Sequence, residues 1–253
     1  MKPPKHKAGF TLIEMLVVMA IIGLLSFLAL PAIKNITKSD AMGAANRQLL
    51  DDIAYARRAA IRNRTTVYMV FLPHNYHALA GSFTGADLDQ ATDLLALQYH
   101  GYRMFAWRRV GEQPGQSSPT YLTDWRALPE GVFIPQWKYT TGYGSVSNFA
   151  IAMLPFPDAG SAQQMALPYI AFDYLGQLTR FDPQGRPLQV KVDEIIPLAR
   201  GALLVPTDDA TKKPLWQAPE VVENPPDNSK NNFNHIRVDW LTGRAKVERP
   251  EIP

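Results

Sequence analysis

Gly9, Phe10 and Glu14 are the residues of this chain whose types and spacing point to covalent chemistry. They lie in KHKAGFTLIEMLVVMAIIGLL, a basic stretch running into apolar residues that hold one carboxylate. From Phe10 to Ile33 Glu14 is the only charged side chain, and an acidic group costs very roughly 3 kcal/mol at the centre of a membrane helix, less near an end. Hydrolysis of the Gly9–Phe10 bond would supply a partner for it. The cut creates an α-amine four residues before Glu14, and positions i and i+4 share a helix face. With an ordinary pKa of about 8 that amine is largely cationic at neutral pH, so it can neutralise the carboxylate of its own helix or of a neighbouring copy.

The element that must position these groups is a long helix. Residues 10–33, as a helix rising about 1.5 Å per residue, would reach roughly 36 Å, enough to cross a hydrocarbon core of about 30 Å. A plain signal anchor fits this length, with the Lys-rich end in the cytoplasm. A cleaved secretory signal fits less well, since its apolar stretch is only about 7–15 residues long. Neither gives Glu14 a role. Past Ile33 the pattern turns amphipathic over 34–64, with Leu49, Ile53, Ala56 and Ala60 at helical spacing. Pro31 removes one amide donor and is expected to kink or loosen the helix. Ala20, Gly23, Ser26 and Ala29 are small enough for close helix approach, but their spacing makes no straight stripe.

Beyond Arg64 the period becomes two. TTVYMVFL predicts a first strand. Further strands are expected at 94–99, 102–110, 132–139, 169–172, 189–195 and 202–205, with a last pair at 236–239 and 245–247 joined through the turn WLTGR. FDYLGQLTRFDPQGR predicts a second turn-rich hairpin. The fold class expected is therefore α+β: a long N-terminal helix, membrane half plus amphipathic half, on a mostly antiparallel β domain over 65–253. The polar, Pro-rich stretch 207–232 is expected as a long surface loop. No internal repeat is visible.

Composition limits the rest. A hydrophobic fraction of 46% over 253 residues is that of a folded chain. The absence of cysteine removes disulfides and thiolate sites. Lys2, Lys5 and Lys7 account for the net charge of +3, and acidic and basic residues balance from Phe10 onward. The body carries no overall charge that would draw it to nucleic acid.

KAGFTLIEMLVVMAIIGLLSFLALP closely resembles the cleavage and methylation signal of type IV pilins and type II secretion pseudopilins. The resemblance covers a short basic leader, Gly9, Phe10, Glu14, and an apolar helix with Pro31 near its end, about 25 residues in all. It implies a leader peptide over 1–9, cut after Gly9 by a prepilin peptidase that also methylates the amine of Phe10. It implies assembly through Glu14 and the helix, with Pro31 near the end of the apolar half. The partners implied are other pilin or pseudopilin subunits, an inner-membrane assembly platform and membrane lipid. The place implied is the bacterial inner membrane, in a single pass with the N-terminus cytoplasmic and the β domain periplasmic or extracellular, and then an envelope-spanning filament. DDIAYARRAAIRNRTTVYMVF, FDYLGQLT and IRVDWLTGRAKV are similar, more loosely, to the H-type minor pseudopilins and FimT-like minor pilins. Insertions at 74–93 and 207–232 depart from that group. The function implied is a structural filament subunit without catalysis of its own. The alternative is a filament-tip module contacting DNA, a surface or a secreted substrate.

Other constellations are weaker. Arg57, Arg58, Arg62 and Arg64 could meet nucleic acid, but with Asp51 and Asp52 nearby and no clustered aromatics they read first as a solvated helix face. Asp87, Asp89 and Asp93 could form an oxygen-ligand calcium site, yet the glycine and terminal glutamate of an EF-hand are missing. His74 and His77 lack helical spacing and a third ligand. GSVS at 144–147 lacks the spacing of a nucleophile elbow. No metal, cofactor or catalytic group is expected, and the tryptophans are assigned to packing.

Overall fold

The structure, a computed structural model, describes residues 12–108, 111–112, 118–182, 185–231 and 234–248, apart from the side chains of 24–40, 86 and 189. It divides into two units, Met1–Asp40 and Ala41–Pro253.

Helix α1 spans Leu12–Asn63, and its helical assignment continues through Pro31. Its end has a local cause. Arg64 adopts φ +48°, which turns the chain so that the Thr65 amide donates to the Ala60 carbonyl at 3.2 Å. A left-handed residue followed by this six-residue closure satisfies carbonyls the last turn would otherwise leave open. Strand β1, Val67–Phe71, follows directly.

The remaining strands, in chain order, are β2 Gly101–Ala106, β3 Thr120–Tyr121, β4 Arg126–Ala127, β5 Val132–Phe133, β6 Ala150–Pro155, β7 Gln164–Phe172, β8 Leu178–Phe181, β9 Pro187–Gln189, β10 Glu194–Leu204, β11 Glu220–Glu223, β12 Asn234–Val238 and β13 Ala245–Glu248. Among the described residues they form two antiparallel sheets. One runs β3-β2-β1-β7-β8-β9, with β4 on β2 and β6 on β7; the other runs β11-β10-β12-β13, with β5 on β10. The α+β class expected from the sequence, helix first and antiparallel sheet after, is the observed one.

Two apolar cores explain why β1 is buried on both faces. On one side Met42, Ala45, Leu49, Ile53, Ala56 and Ala60 of α1 pack with Val67, Met69 and Phe71 of β1, Tyr102 and Met104 of β2, and Ile196, Leu198, Ile236 and Val238 of the second sheet. The helical spacing of the α1 residues places them on one stripe, and the alternation along β1 aims every second side chain at it. On the other side Tyr68, Val70 and Leu72 meet Tyr76, Phe83, Leu94, Leu95 and Phe156.

Several expected strands take another form. Residues 94–99 close α2, Ala86–Leu94, and form a 3-10 turn, Leu95–Leu97. Their apolar run has no pleated neighbour to pair with; Leu94 and Leu95 instead face the second core. Residues 132–139 split into β5 and a short helix α3, Gln136–Tyr139, because Pro135 precedes the turn and cannot donate to a ladder. Of the strand expected at 189–195 only 194–195 lie in β10, with 189 ending β9 and 190–193 outside any strand; β10 runs on without a break through 202–204, most of the strand expected at 202–205. The stretch 207–232 is not loop throughout: it contains β11, paired with β10, and a short helix α4, Asn228–Asn231.

Candidate functional site

Gly9 and Phe10 lie outside the described residues. Glu14 stands in the first turn of α1, where a carboxylate is favoured by the positive end of the helix dipole. Around it Leu12, Ile13, Met15, Leu16, Val17, Val18, Met19, Ile21 and Ile22 are all exposed large apolar side chains. Burying even one such side chain is worth about 1.5–3 kcal/mol, so this face calls for lipid or protein around it. Among the described residues no helix is long and apolar enough to cross a membrane; the run 10–33 expected to do so falls only partly among them.

The four arginines do not form one surface with one role. Arg57 reaches back to the last hairpin, its Nε donating to the Thr242 carbonyl at 2.6 Å. Arg58 Nε donates to the Ala54 carbonyl of its own helix at 3.1 Å, and Arg62 Nε to Asn63 Oδ1 at 3.2 Å. Arg64 is the left-handed residue that ends the helix. Arg57 clamps two stacked turns. A Cβ on Gly243 (φ +60°) would stand 2.0 Å from the Gly176 carbonyl oxygen, and one on Gly176 (φ +80°) would stand 3.1 Å from Arg57 Nε.

Asp87, Asp89 and Asp93 lie on α2. Asp87 accepts from Ser161 Oγ at 3.2 Å, and Asp89 pairs with Lys213 at 3.2 Å. Among the described residues no three His, Cys, Asp or Glu side chains gather as a metal site would require. The contacts of Asp89 show what the two insertions do. Trp216, from 207–232, stacks on Phe83 at 5.9 Å and lies 5.4 Å from Tyr76, while its Nε1 donates to Thr92 Oγ1 at 3.2 Å. The insertions pack on each other and close the second core.

Sequence reasoning missed two buried charge networks. Asp52, on α1, accepts the Tyr102 hydroxyl at 2.6 Å and pairs with Arg126; Gln48 Nε2 donates to Tyr102 Oη at 2.7 Å and to the Ala127 carbonyl at 2.8 Å. This ties α1 to β2 and β4, and burial with the neighbouring Asp52 carboxylate pushes the Tyr102 phenol far above its usual range. Lys138, 0% exposed, pairs with Glu194, donates to the Ser147 carbonyl at 2.7 Å and stands 4.6 Å over the Phe149 ring. Arg180 binds the other Glu194 oxygen at 2.8 Å. Burial lowers the Lys138 pKa, against the pull of Glu194. These residues join α3, the 141–148 loop and both sheets; the cavity that Arg180 and Glu194 help to line measures about 10 Å³, room for no more than a water molecule. In sequence they carried no local signal beyond being charges beside apolar runs.

Burial also lowers the pKa of His74, His100 and His235 below the ordinary 6.5. Each is held neutral in the fold and takes up its proton more readily when unfolded. Stability from this source is therefore complete above pH 6.5 and is lost as pH falls from there through the lowered folded-state values. Thermal melts should be flat from pH 8 to 7 and fall between pH 6.5 and 5. His100→Gln should reduce that slope; an identical slope in the variant would exclude the histidine as its source.

Residues 4–30 match the family model described as the prokaryotic N-terminal methylation motif. No curated protein and no solved structure is significantly similar to the chain. The matched segment takes in Gly9, Phe10 and Glu14 and runs into the apolar helix, and it supports a type IV pilin-like subunit that is processed at its N-terminus and held at the cell envelope.

Proposed function

We propose that this protein is a minor pilin or pseudopilin, cut between Gly9 and Phe10, methylated on the new amine, and built into a filament through α1. The methylation-motif match over residues 4–30 carries this reading. The exposed apolar turns from Leu12 to Ile22 agree with it: such a face is served by lipid before assembly and by neighbouring helices after it. The head, in which α1 from Met42 to Ala60 packs with both sheets, displays the remaining surface to partners. Within the family the reading extends to the H-type pseudopilins and FimT-like pilins, supported by the direct passage from α1 through Arg64 into β1. Prepilin peptidase, companion subunits and an inner-membrane platform are the partners proposed.

Glu14 is the residue on which assembly is proposed to turn. In low dielectric, the amine of Phe10 on an adjacent subunit would give its carboxylate a charge-assisted contact, and truncating one member of such a pair leaves the other uncompensated. Glu14→Leu should insert and be cut normally, yet co-purify with filaments about tenfold less, which corresponds to roughly 1.4 kcal/mol. The check is precursor and mature protein in the membrane fraction, measured beside recovery with the filament. Wild-type recovery of Glu14→Leu would show the carboxylate to be dispensable. Deleting the gene and scoring secretion, twitching and DNA uptake separately selects the machine.

A further inference from the structure

Among the described residues strand β6, Ala150–Pro155, pairs with β7 along one edge only. Its phase follows from one residue. Ile151 stands opposite Pro168, which has no amide to donate, so this is a non-hydrogen-bonded pair. The Phe156 amide bonds the Gln163 carbonyl at 3.0 Å, confirming that the backbone groups of the even-numbered residues face β7. The amides and carbonyls of Ile151 and Met153 therefore point away from the sheet. Pro155, next in this phase, has its carbonyl taken by the Tyr121 hydroxyl at 2.7 Å.

The side chains match this open edge. Ala150, Ala152 and Leu154 face the second core, whereas Ile151 and Met153 are 60% and 54% exposed and lie in register with Pro168 and Ala166 of β7. The other terminal strands of the described sheets carry defences. Strands β3, β4 and β5 have two residues each, β9 begins on a proline, β11 carries Glu220 and Glu223, and β13 carries Lys246 and Glu248. Short length, proline and charge are the devices by which sheet edges avoid pairing. Strand β6 runs six residues, with its only proline at the last and no charge.

We propose that this edge is a self-association site, occupied by β6 of a second copy running antiparallel about a two-fold axis at Ala152. The strand is complementary to itself there. Ile151 faces Met153 of the second copy and Met153 faces its Ile151, both as hydrogen-bonded pairs, so the outward groups of the two strands exchange four main-chain bonds. Shifting the axis to Ile151 would bring Phe149 into the ladder, and its amide is already given to the Lys138 carbonyl at 3.0 Å. With no charge in the strand, self-pairing sets no like charges opposite each other. The exposed Ile151 and Met153 of both copies form one apolar stripe, and the two-fold closes the contact as a dimer. None of the residues of this site belongs to the N-terminal helix.

A single thiol tests the geometry, because the chain has no cysteine. At the proposed axis Ala152 meets its own copy in a non-hydrogen-bonded pair, with Cα atoms about 4.5 Å apart, within disulfide range. Full-length Ala152→Cys in membranes, treated with a copper–phenanthroline oxidant, should run largely as a disulfide dimer of the chain. Ile151→Cys should not, since two such residues sit diagonally, roughly 8 Å or more apart. Adding Ile151→Lys and Met153→Lys to Ala152→Cys should reduce the crosslink at least tenfold. No dimer, an equal dimer from Ile151→Cys, or a crosslink that survives the lysines overturns the proposal, and so does a crosslink to a different protein. Should Ala152→Cys fail to fold, sedimentation of detergent-solubilised wild type decides: a concentration-dependent dimer absent from the double-lysine variant supports the site, and a monomer at all concentrations overturns it.

Discussion

Gly9→Val is expected to leave the protein at full precursor length in the membrane. A peptidase that cuts after residue 9 has to bring its catalytic groups against that backbone from close range, and glycine alone presents no Cβ there. A branched side chain both obstructs the approach and restricts the extended geometry that cleavage requires. If the clash costs the transition state only ~2.7 kcal/mol, cleavage slows about a hundredfold, enough for precursor to accumulate. Mass spectrometry gives the readout. Wild type should begin at Phe10 with one added methyl group, and Gly9→Val should retain residues 1–9 without it. Normal maturation of Gly9→Val would remove the pilin reading, because the cut would then not depend on the glycine that this reading requires at residue 9.

Glu194→Leu is expected to destabilise the head more than any surface change. The substitution leaves the Lys138 ammonium fully buried, with the Ser147 carbonyl and the Phe149 ring as its remaining contacts. Breaking one side of a buried ion pair costs about 3–5 kcal/mol. For a domain of this size that is a fall in Tm of roughly 6–20 °C. Arg180 loses its partner too, but its half-exposed side chain can turn to water. The double variant Lys138→Met, Glu194→Leu should recover most of the loss, since it removes both charges and fills the site with apolar side chains of similar volume. Urea and thermal melts of the two variants measure this. A Glu194→Leu protein within about 1 kcal/mol of wild type would show that Lys138 has another way to dispose of its charge, such as deprotonation, toward which its lowered pKa already leans.

The stretches legible from residue order alone are those whose meaning is local. The Gly9-Phe10-Glu14 spacing, the apolar run, and the shift from a helical to an alternating pattern after Arg64 are properties of adjacent residues. They sufficed for α1, for β1 and for the hairpins at 172–186 and 234–248, and they are the whole basis of the chemistry proposed at the N-terminus. Asp51 and Asp52 show where that reading ends. Beside the arginines both read as part of a solvated helix face, yet Asp52 is buried against Tyr102 and Arg126, which come from 50 and 74 residues away. Arg57 looked like its arginine neighbours and proved to hold a turn 185 residues distant. Trp216 and Asp89 gave no sign that two polar insertions would meet. The physical reason is common to all four. A hydrophobic period specifies which face of an element seeks a core, because burial acts on every residue of the stripe in the same way. A buried charge or a stacked turn depends on one particular partner, and only the tertiary structure brings that partner within reach.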